Sequence, residues 1–355
     1  MTHKIKNNKE WIDNKSNYSS IDKLYHNIFF NAINHNILYN VEKFFFKKKI
    51  NLENIIFICG VPRSGTTAFL RNIYSTNLYA SLTYNDVPSL FAPNLFNLFK
   101  LSSLNRFSPL RERSHQDLIK INNNSPEAFD EVFLESFLKE KKFTKDVISK
   151  IKFHNFSKEA LKEYLIYIQL ICLKYKKNKY VTKNNSNLFR LNSLAKNFPK
   201  SIIFILIRSP LYAAFSLLKL HLKYTNIDKF TFNYLDFLCH YEFGDNIKDF
   251  YGFTSKFNRT SINYWLDFWF FVHEKIFPQI TKFRNIYLIP YEELTNIKLQ
   301  NQIKNLLGHN LSDNFQFLNM NKKLNKKELI GINRMLLQSC NLLYDEIKNS
   351  SLLVK

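Results

Sequence analysis

The apolar and polar positions of this chain follow two rhythms, and the changes between them outline its elements. Residues 1–20 are polar throughout and predict a tail. From Ile21 to Phe46, apolar residues recur at three- and four-residue spacing (Leu24, Ile28, Phe29, Ile33, Ile37, Leu38, Val41), which predicts an amphipathic helix ending in Lys47-Lys48-Lys49. The rhythm then breaks. Asn54–Gly60 (NIIFICG) is a short continuous apolar run stopped by glycine, as expected of a strand buried on both faces of a parallel sheet. A loop and then TTAFLRNIY, predicted helical, complete the start of a βαβ unit.

Further strands are predicted near Ala80–Tyr84, at Lys179–Lys183 (KYVTK), at Ser201–Ile207 (SIIFILI) and in Asn285–Leu294, where NIYLIPYEEL runs into a helix. Helices are predicted over Pro126–Lys139, Lys158–Lys177, Asn187–Asn197, from Pro210 onward, over 260–277 and over 325–349. Pro210 stands where proline is favoured, in a helix's first turn. The Pro- and Asn-rich stretch 85–125 reads as irregular cover. Strands alternating with helices predict the α/β class: a P-loop-like open parallel sheet flanked by helices, in one domain with helical elaborations. The expected boundaries are a tail at 1–20, a helical segment at 21–53, the α/β domain at 54–310 with an insertion at 86–180, and a helical tail at 311–355.

Composition changes this picture little. At 355 residues and 45% hydrophobic, the chain supports a packed core, which excludes a disordered or collagen-like protein. Its net charge of +22 points to an anionic partner. Of 51 basic residues, however, only 10 are arginine, and the dispersed lysines fit a composition bias, so the arginines are the more informative cations. Cys59, Cys172, Cys239 and Cys340 form no CxxC pair and predict reduced, buried thiols. No histidine cluster suggests a metal, no apolar leader is visible at the N-terminus, and no uncharged apolar run reaches ~18 residues. A cytoplasmic protein without a transmembrane segment is expected.

The chemistry concentrates in the loop after the first strand, Gly60-Val61-Pro62-Arg63-Ser64-Gly65-Thr66-Thr67. Its two glycines have the GxxxxG spacing of a phosphate-binding loop, which turns backbone N–H groups inward and sets a helix N-terminus against an anion. An NTP-binding loop continues Gly-Lys-Ser/Thr. Here Thr66 occupies the lysine position and the cation is Arg63, which argues against ordinary ATP or GTP hydrolysis.

The residues PRSGTT after an apolar strand resemble the 5′-phosphosulfate loop of sulfotransferases that use 3′-phosphoadenosine 5′-phosphosulfate (PAPS), in particular the bacterial type. The resemblance implies that residues 60–67 wrap the phosphosulfate with Arg63 near the leaving oxygen. The family's second motif is a strand ending in Arg, then Asp-Pro, then Ser eight residues after the Arg. Arg208, Ser209-Pro210 and Ser216 are similar to it, with Ser209 where Asp is usual and Leu211 where a basic residue is common. The resemblance makes Arg208 and Ser216 ligands of the nucleotide 3′-phosphate. Lys183, in TKNN (182–185), matches the family's Lys-Asn segment and is expected to neutralise the donor. Similarity to bacterial members extends through 81–96 and 113–133, so it covers roughly 54–295. The Gly-rich C-terminal cofactor loop of the animal enzymes has no counterpart.

The base that takes the acceptor's proton is less defined. Asp86 lies just after the expected second strand, where related enzymes often hold a catalytic Glu. His115 follows Arg111 and Arg113 and has a pKa suited to neutral-pH base chemistry. Glu127 and Glu131, at i, i+4 spacing on a helix, follow in rank. Arg106, Arg111 and Arg113 offer a grip for an acidic acceptor, and equally a solvated basic loop; Tyr264 and Trp265 belong to an aromatic helix expected in the core. The expected catalytic residues are thus Arg63, Asp86 and His115, with no metal required and no nucleic acid as partner. The reaction expected is sulfuryl transfer to a hydroxyl or amine of a glycan, lipid or small metabolite. The alternatives are a divergent P-loop kinase and a non-enzymatic binder of anionic polymers.

Overall fold

The computed structural model describes residues 32–87, 89–98, 110–112, 120–138, 150–151, 155–250, 252–308 and 329–350. The strands in chain order are β1 (Asn54–Gly60), β2 (Arg111–Glu112), β3 (Lys120–Ile121), β4 (Lys150–Ile151), β5 (Lys179–Lys183), β6 (Ile202–Ile207), β7 (Asp249–Phe250) and β8 (Ile286–Pro290). The helices are α1 (Ala32–Phe46), α2 (Thr66–Tyr74), α3 (Pro93–Leu98), α4 (Asp130–Leu138), α5 (Lys158–Tyr175), α6 (Leu191–Asn197), α7 (Pro210–Lys223), α8 (Lys229–Phe237), α9 (Ile262–Ile280), α10 (Ile297–Leu307) and α11 (Arg334–Asn349). The expected tail at 1–20 lies outside the described residues.

The central sheet has the order β5-β1-β6-β8, and every pairing is parallel. β1, β6 and β8 are apolar runs because both faces are covered, whereas β5 (KYVTK), at the sheet edge, has lysines at its two ends. Ile55, Phe57 and Cys59 of β1 and Ile203, Ile205 and Ile207 of β6 join one cluster with Tyr164 and Tyr167 of α5 and Trp269 of α9. The alternate residues Ile56, Ile58, Phe204 and Leu206 join a second with Phe69 and Ile73 of α2 and Ile303 of α10. Aromatic packing stiffens the larger layer: Phe133 stacks on Tyr167 with ring centroids 3.9 Å apart and planes 3° from parallel.

The strand expected near Ala80–Tyr84 does not form. Ala80 makes one isolated bridge to Tyr180, Thr83 makes another to Pro126, and Tyr84–Asp86 is a 3₁₀ turn. The cause is local: the Asp86 carboxylate reaches back to the Thr83 backbone N–H and closes a capping box. The helix expected from Pro126 starts only at Asp130; before it Pro126 is bridged to Thr83 and the Glu127 N–H donates to the Leu82 carbonyl. The segment after β5 begins as a 3₁₀ helix, Asn185–Arg190, before continuing as α6. Tyr264 and Trp265 are buried in the aromatic helix, as expected.

Two buried ion pairs tie α4 and the turn before it to the end of β5 and the 3₁₀ segment that follows. Arg190 donates to both oxygens of Glu131, at 2.6 and 2.7 Å, and Asn184 donates to Glu131 as well. Lys183 donates to Glu127 at 2.9 Å. Removing one partner of such a pair strands a charge in low dielectric. Glu131→Ala should therefore cost about 3–5 kcal/mol of stability, measured by urea unfolding.

Candidate active site

The chain leaves β1 for β5 on one side and later places β6 on the other, so strand order reverses at the C-terminal end of β1. Open parallel sheets bind ligands at such a switch point. The loop Gly60–Thr67 sits there. A side chain at Gly60 would lie 2.4 Å from Ser64 Oγ and 2.5 Å from the Leu206 carbonyl, so only glycine fits between the loop and β6. Gly65 has φ +91° and faces the Tyr291 ring, which a Cβ would meet at 2.3 Å. Ser64 closes the turn by donating from N–H and Oγ to the Val61 carbonyl, at 3.1 and 2.7 Å. Arg63 itself takes a left-handed φ of 77°, a costly conformation for a non-glycine residue and one that clusters at ligand clamps. The loop thus hands over to the N-terminus of α2, where Thr66 and Thr67 are buried and Thr66 donates to Asn185 at 3.2 Å.

Arg208 follows β6 at the same edge. It donates to the Arg63 carbonyl at 3.0 Å, and its guanidinium lies 4.9 Å from the centre of the Tyr291 ring. Arg63 Nε donates to Ser216 Oγ of α7 at 2.9 Å. Loop, strand end and following helix are therefore one hydrogen-bonded unit. Burial lowers the pKa of the Arg208 guanidinium, against the pull of Tyr291 and Glu292, and the neighbouring Arg63 cation lowers it further. Two cations held together at a helix N-terminus, in partial burial, make an anion site. The backbone around Arg208 is pinned too: Trp269 donates to its carbonyl at 3.2 Å, and Ser209 N–H donates to Glu292 at 3.0 Å. Tyr344 of α11 donates to the other Glu292 oxygen at 2.6 Å.

The model of the sulfotransferase family matches residues 55–307. The chain belongs to the sulfotransferase family. Two solved structures are similar in fold. One is sulfotransferase STF1 from Mycobacterium tuberculosis H37Rv, with 14% identity, TM-score 0.52, and 89% of this chain and 83% of that one covered. The other is sulfotransferase STF9 from Mycobacterium avium, with 14% identity, TM-score 0.56, and coverage of 92% and 85%. No curated protein gives a significant match. The open parallel sheet expected from the sequence is the fold these structures share.

In this sulfotransferase the loop residues Gly60, Pro62, Arg63, Ser64, Gly65, Thr66 and Thr67 come together with Arg208 and Ser216. Lys183 ends β5, beside β1, and is buried against Glu127. Asp86 is placed differently from the expectation. It is 0% exposed, and its carboxylate accepts from Thr83 N–H (2.6 Å), Thr83 Oγ1 (3.0 Å), Tyr175 (2.6 Å) and Lys174 (2.6 Å). With its lone pairs so engaged and no strand before it, Asp86 anchors the turn to α5; it is not positioned as a base. His115, Arg106 and Arg113 lie outside the described residues, and Arg111 falls in β2. Among the described residues no group of three His, Cys, Asp or Glu side chains could hold a metal, and no helix is long and apolar enough to cross a membrane.

Sequence reasoning missed three contributors. Tyr291 seals Gly65 and stacks on Arg208. Glu292 fixes Ser209 at the position where the family's Asp is usual. Glu242 lines a narrow cleft with Val61 and Pro62 of the loop. Only the first two had a signal, in the expected strand running into YEEL.

Two substitutions test this assignment. Gly65→Ala forces a side chain into a left-handed backbone and the Tyr291 ring, and should cost about 1–3 kcal/mol in thermal unfolding. Asp86→Asn should cost a similar ~1.5–3 kcal/mol through its charged hydrogen bonds and leave nucleotide affinity, read by calorimetry, unchanged.

Proposed function

We propose that this sulfotransferase moves a sulfuryl group from 3′-phosphoadenosine 5′-phosphosulfate to a hydroxyl or amine. The observation that carries the reading is the Arg63–Ser216 and Arg208–Arg63 hydrogen bonding at the mouth of the glycine loop. It supports two anionic ends meeting one cluster, the phosphosulfate on residues 60–67 and the 3′-phosphate on Arg208 and Ser216. The fit is favoured by the tight turn that Gly60 and Gly65 allow, since a Cβ at either would collide with Ser64 and Leu206 or with the Tyr291 ring.

The donor supplies an activated sulfuryl group. The protein's part is electrostatic and positional. Arg63 and the α2 N-terminus stabilise charge on the leaving phosphate, and Thr66 and Thr67 add hydroxyl donors. Lys183, oriented by Glu127, contributes a further cation beside β1. Thr66 in place of the P-loop lysine is the feature that disfavours a kinase. The +22 charge then meets a small polyanionic nucleotide at a few arginines, with no nucleic acid required. The four cysteines are free and buried, which supports a reducing, cytoplasmic setting.

Adenosine 3′,5′-bisphosphate should bind in calorimetry, and more tightly than ATP with Mg²⁺. Arg208→Ala should weaken that binding ~10–100-fold, the loss of a charged hydrogen-bond partner. Preference for ATP–Mg²⁺, or binding of neither nucleotide, would overturn the reading.

A further inference from the structure

The acidic residues around the donor loop differ in what their oxygens already do. Asp86 is sealed and fully bonded. Glu127 holds Lys183. Glu131 holds Arg190 with both oxygens. Glu292 is divided between Ser209 and Tyr344. Each would have to give up hydrogen bonds it already accepts before it took a proton.

Glu242 stands apart. It lies in the segment between α8 and β7, only 9% exposed, and its Oε2 has no hydrogen-bond partner among the described residues. It lines the narrow cleft whose other walls include Val61 and Pro62 of the donor loop and Asn185 and Ser186 after Lys183. A buried carboxylate oxygen without a hydrogen-bond partner is therefore held beside the loop. Asp130 also has an unpartnered oxygen, but it is 0% exposed, bonded to Tyr164, and not on that cleft.

We propose that Glu242 takes the proton of the acceptor during sulfuryl transfer. The proposal rests on the donor reading above. The acceptor's O–H or N–H bond breaks and its proton goes to Glu242 Oε2. The freed electron pair forms the new bond to sulfur, and the bond from sulfur to the bridging oxygen breaks, its pair leaving on adenosine 3′,5′-bisphosphate. Glu242 then returns the proton to solvent.

The surroundings suit this role. Burial pushes the Glu242 carboxyl up to about 7. The Lys183 cation and the backbone N–H groups of Glu242 and Tyr241 draw it down, and Glu131 raises it. A base poised near neutral pH is the effective one. The placement also has a cost in stability. The native state keeps its proton to higher pH than the unfolded chain does, so Glu242 stabilises the fold at low pH, and that contribution is lost as pH rises from the ordinary range near 4.5 through about 7.

The test compares the full chain with Glu242→Gln and Glu242→Asp. Adenosine 3′,5′-bisphosphate should bind both variants within about twofold of wild type; failure of all three proteins to bind it overturns the donor reading rather than the base assignment. Sulfuryl transfer from PAPS to water, glucosamine and p-nitrophenol is measured near pH 8. Glu242→Gln should slow transfer to water and glucosamine by ~10²-fold or more, and Glu242→Asp should recover part of it. Transfer to p-nitrophenol, already ionised at that pH, should fall less than about tenfold. No loss, or an equal loss whatever the acceptor's acidity, overturns the proposal. Independently of activity, the Tm of Glu242→Gln should exceed wild type at about pH 8.5 and approach it at about pH 5.5. A gap equal at both pH values would show that Glu242 is not the buried carboxyl described.

Discussion

The close approach of Gly60 to β6 is the constraint on which the site depends. With the Leu206 carbonyl 2.5 Å from where a Cβ would sit, the backbone turns out of the sheet directly against its neighbouring strand. That turn carries the chain from the C-terminal end of β1 directly to the α2 N-terminus. It also sets Arg63 where it meets Ser216, two turns into α7, and lets Arg208 reach the Arg63 carbonyl. A looser turn would separate elements that are 153 and 145 residues apart in sequence. The proposed donor site is thus a property of strand spacing first and of arginine chemistry second.

The parts of the fold legible in the sequence are those whose signal is local. β1, β6 and β8 are apolar runs because both sheet faces are covered, and β5 keeps the short Tyr-Val-Thr centre of an edge strand between two lysines. The glycine spacing and Arg63 were legible for the same reason, since a tight turn restricts which residues can stand there. Arg208 and Ser216 became legible through their fixed separation along one strand and helix.

What escaped the sequence is decided by long-range partners. Asp86 looked like a base because it was expected to follow a strand. Whether an aspartate faces substrate or caps a turn depends on Lys174 and Tyr175, nearly 90 residues away. Glu131 ranked among the candidate bases on its helix spacing, yet the fold buries it against Arg190, whose place in a predicted helix gave no sign of that pair. Glu242 carries no motif; its character comes from burial near Lys183 and from the loop it faces. Burying several charges around one strand end is expensive unless each is paired, which explains why most of the acidic residues here are structural.

The bond from Tyr344 to Glu292 has a practical reach. The family match ends at residue 307, and α11 lies beyond it. Yet this helix supplies the hydroxyl that steadies Glu292, which in turn holds the Ser209 amide next to Arg208. An expression fragment trimmed to the matching segment would keep every motif residue and lose the brace behind one of its two key arginines. The boundary of recognisable sequence and the boundary of the working part are different places in this chain.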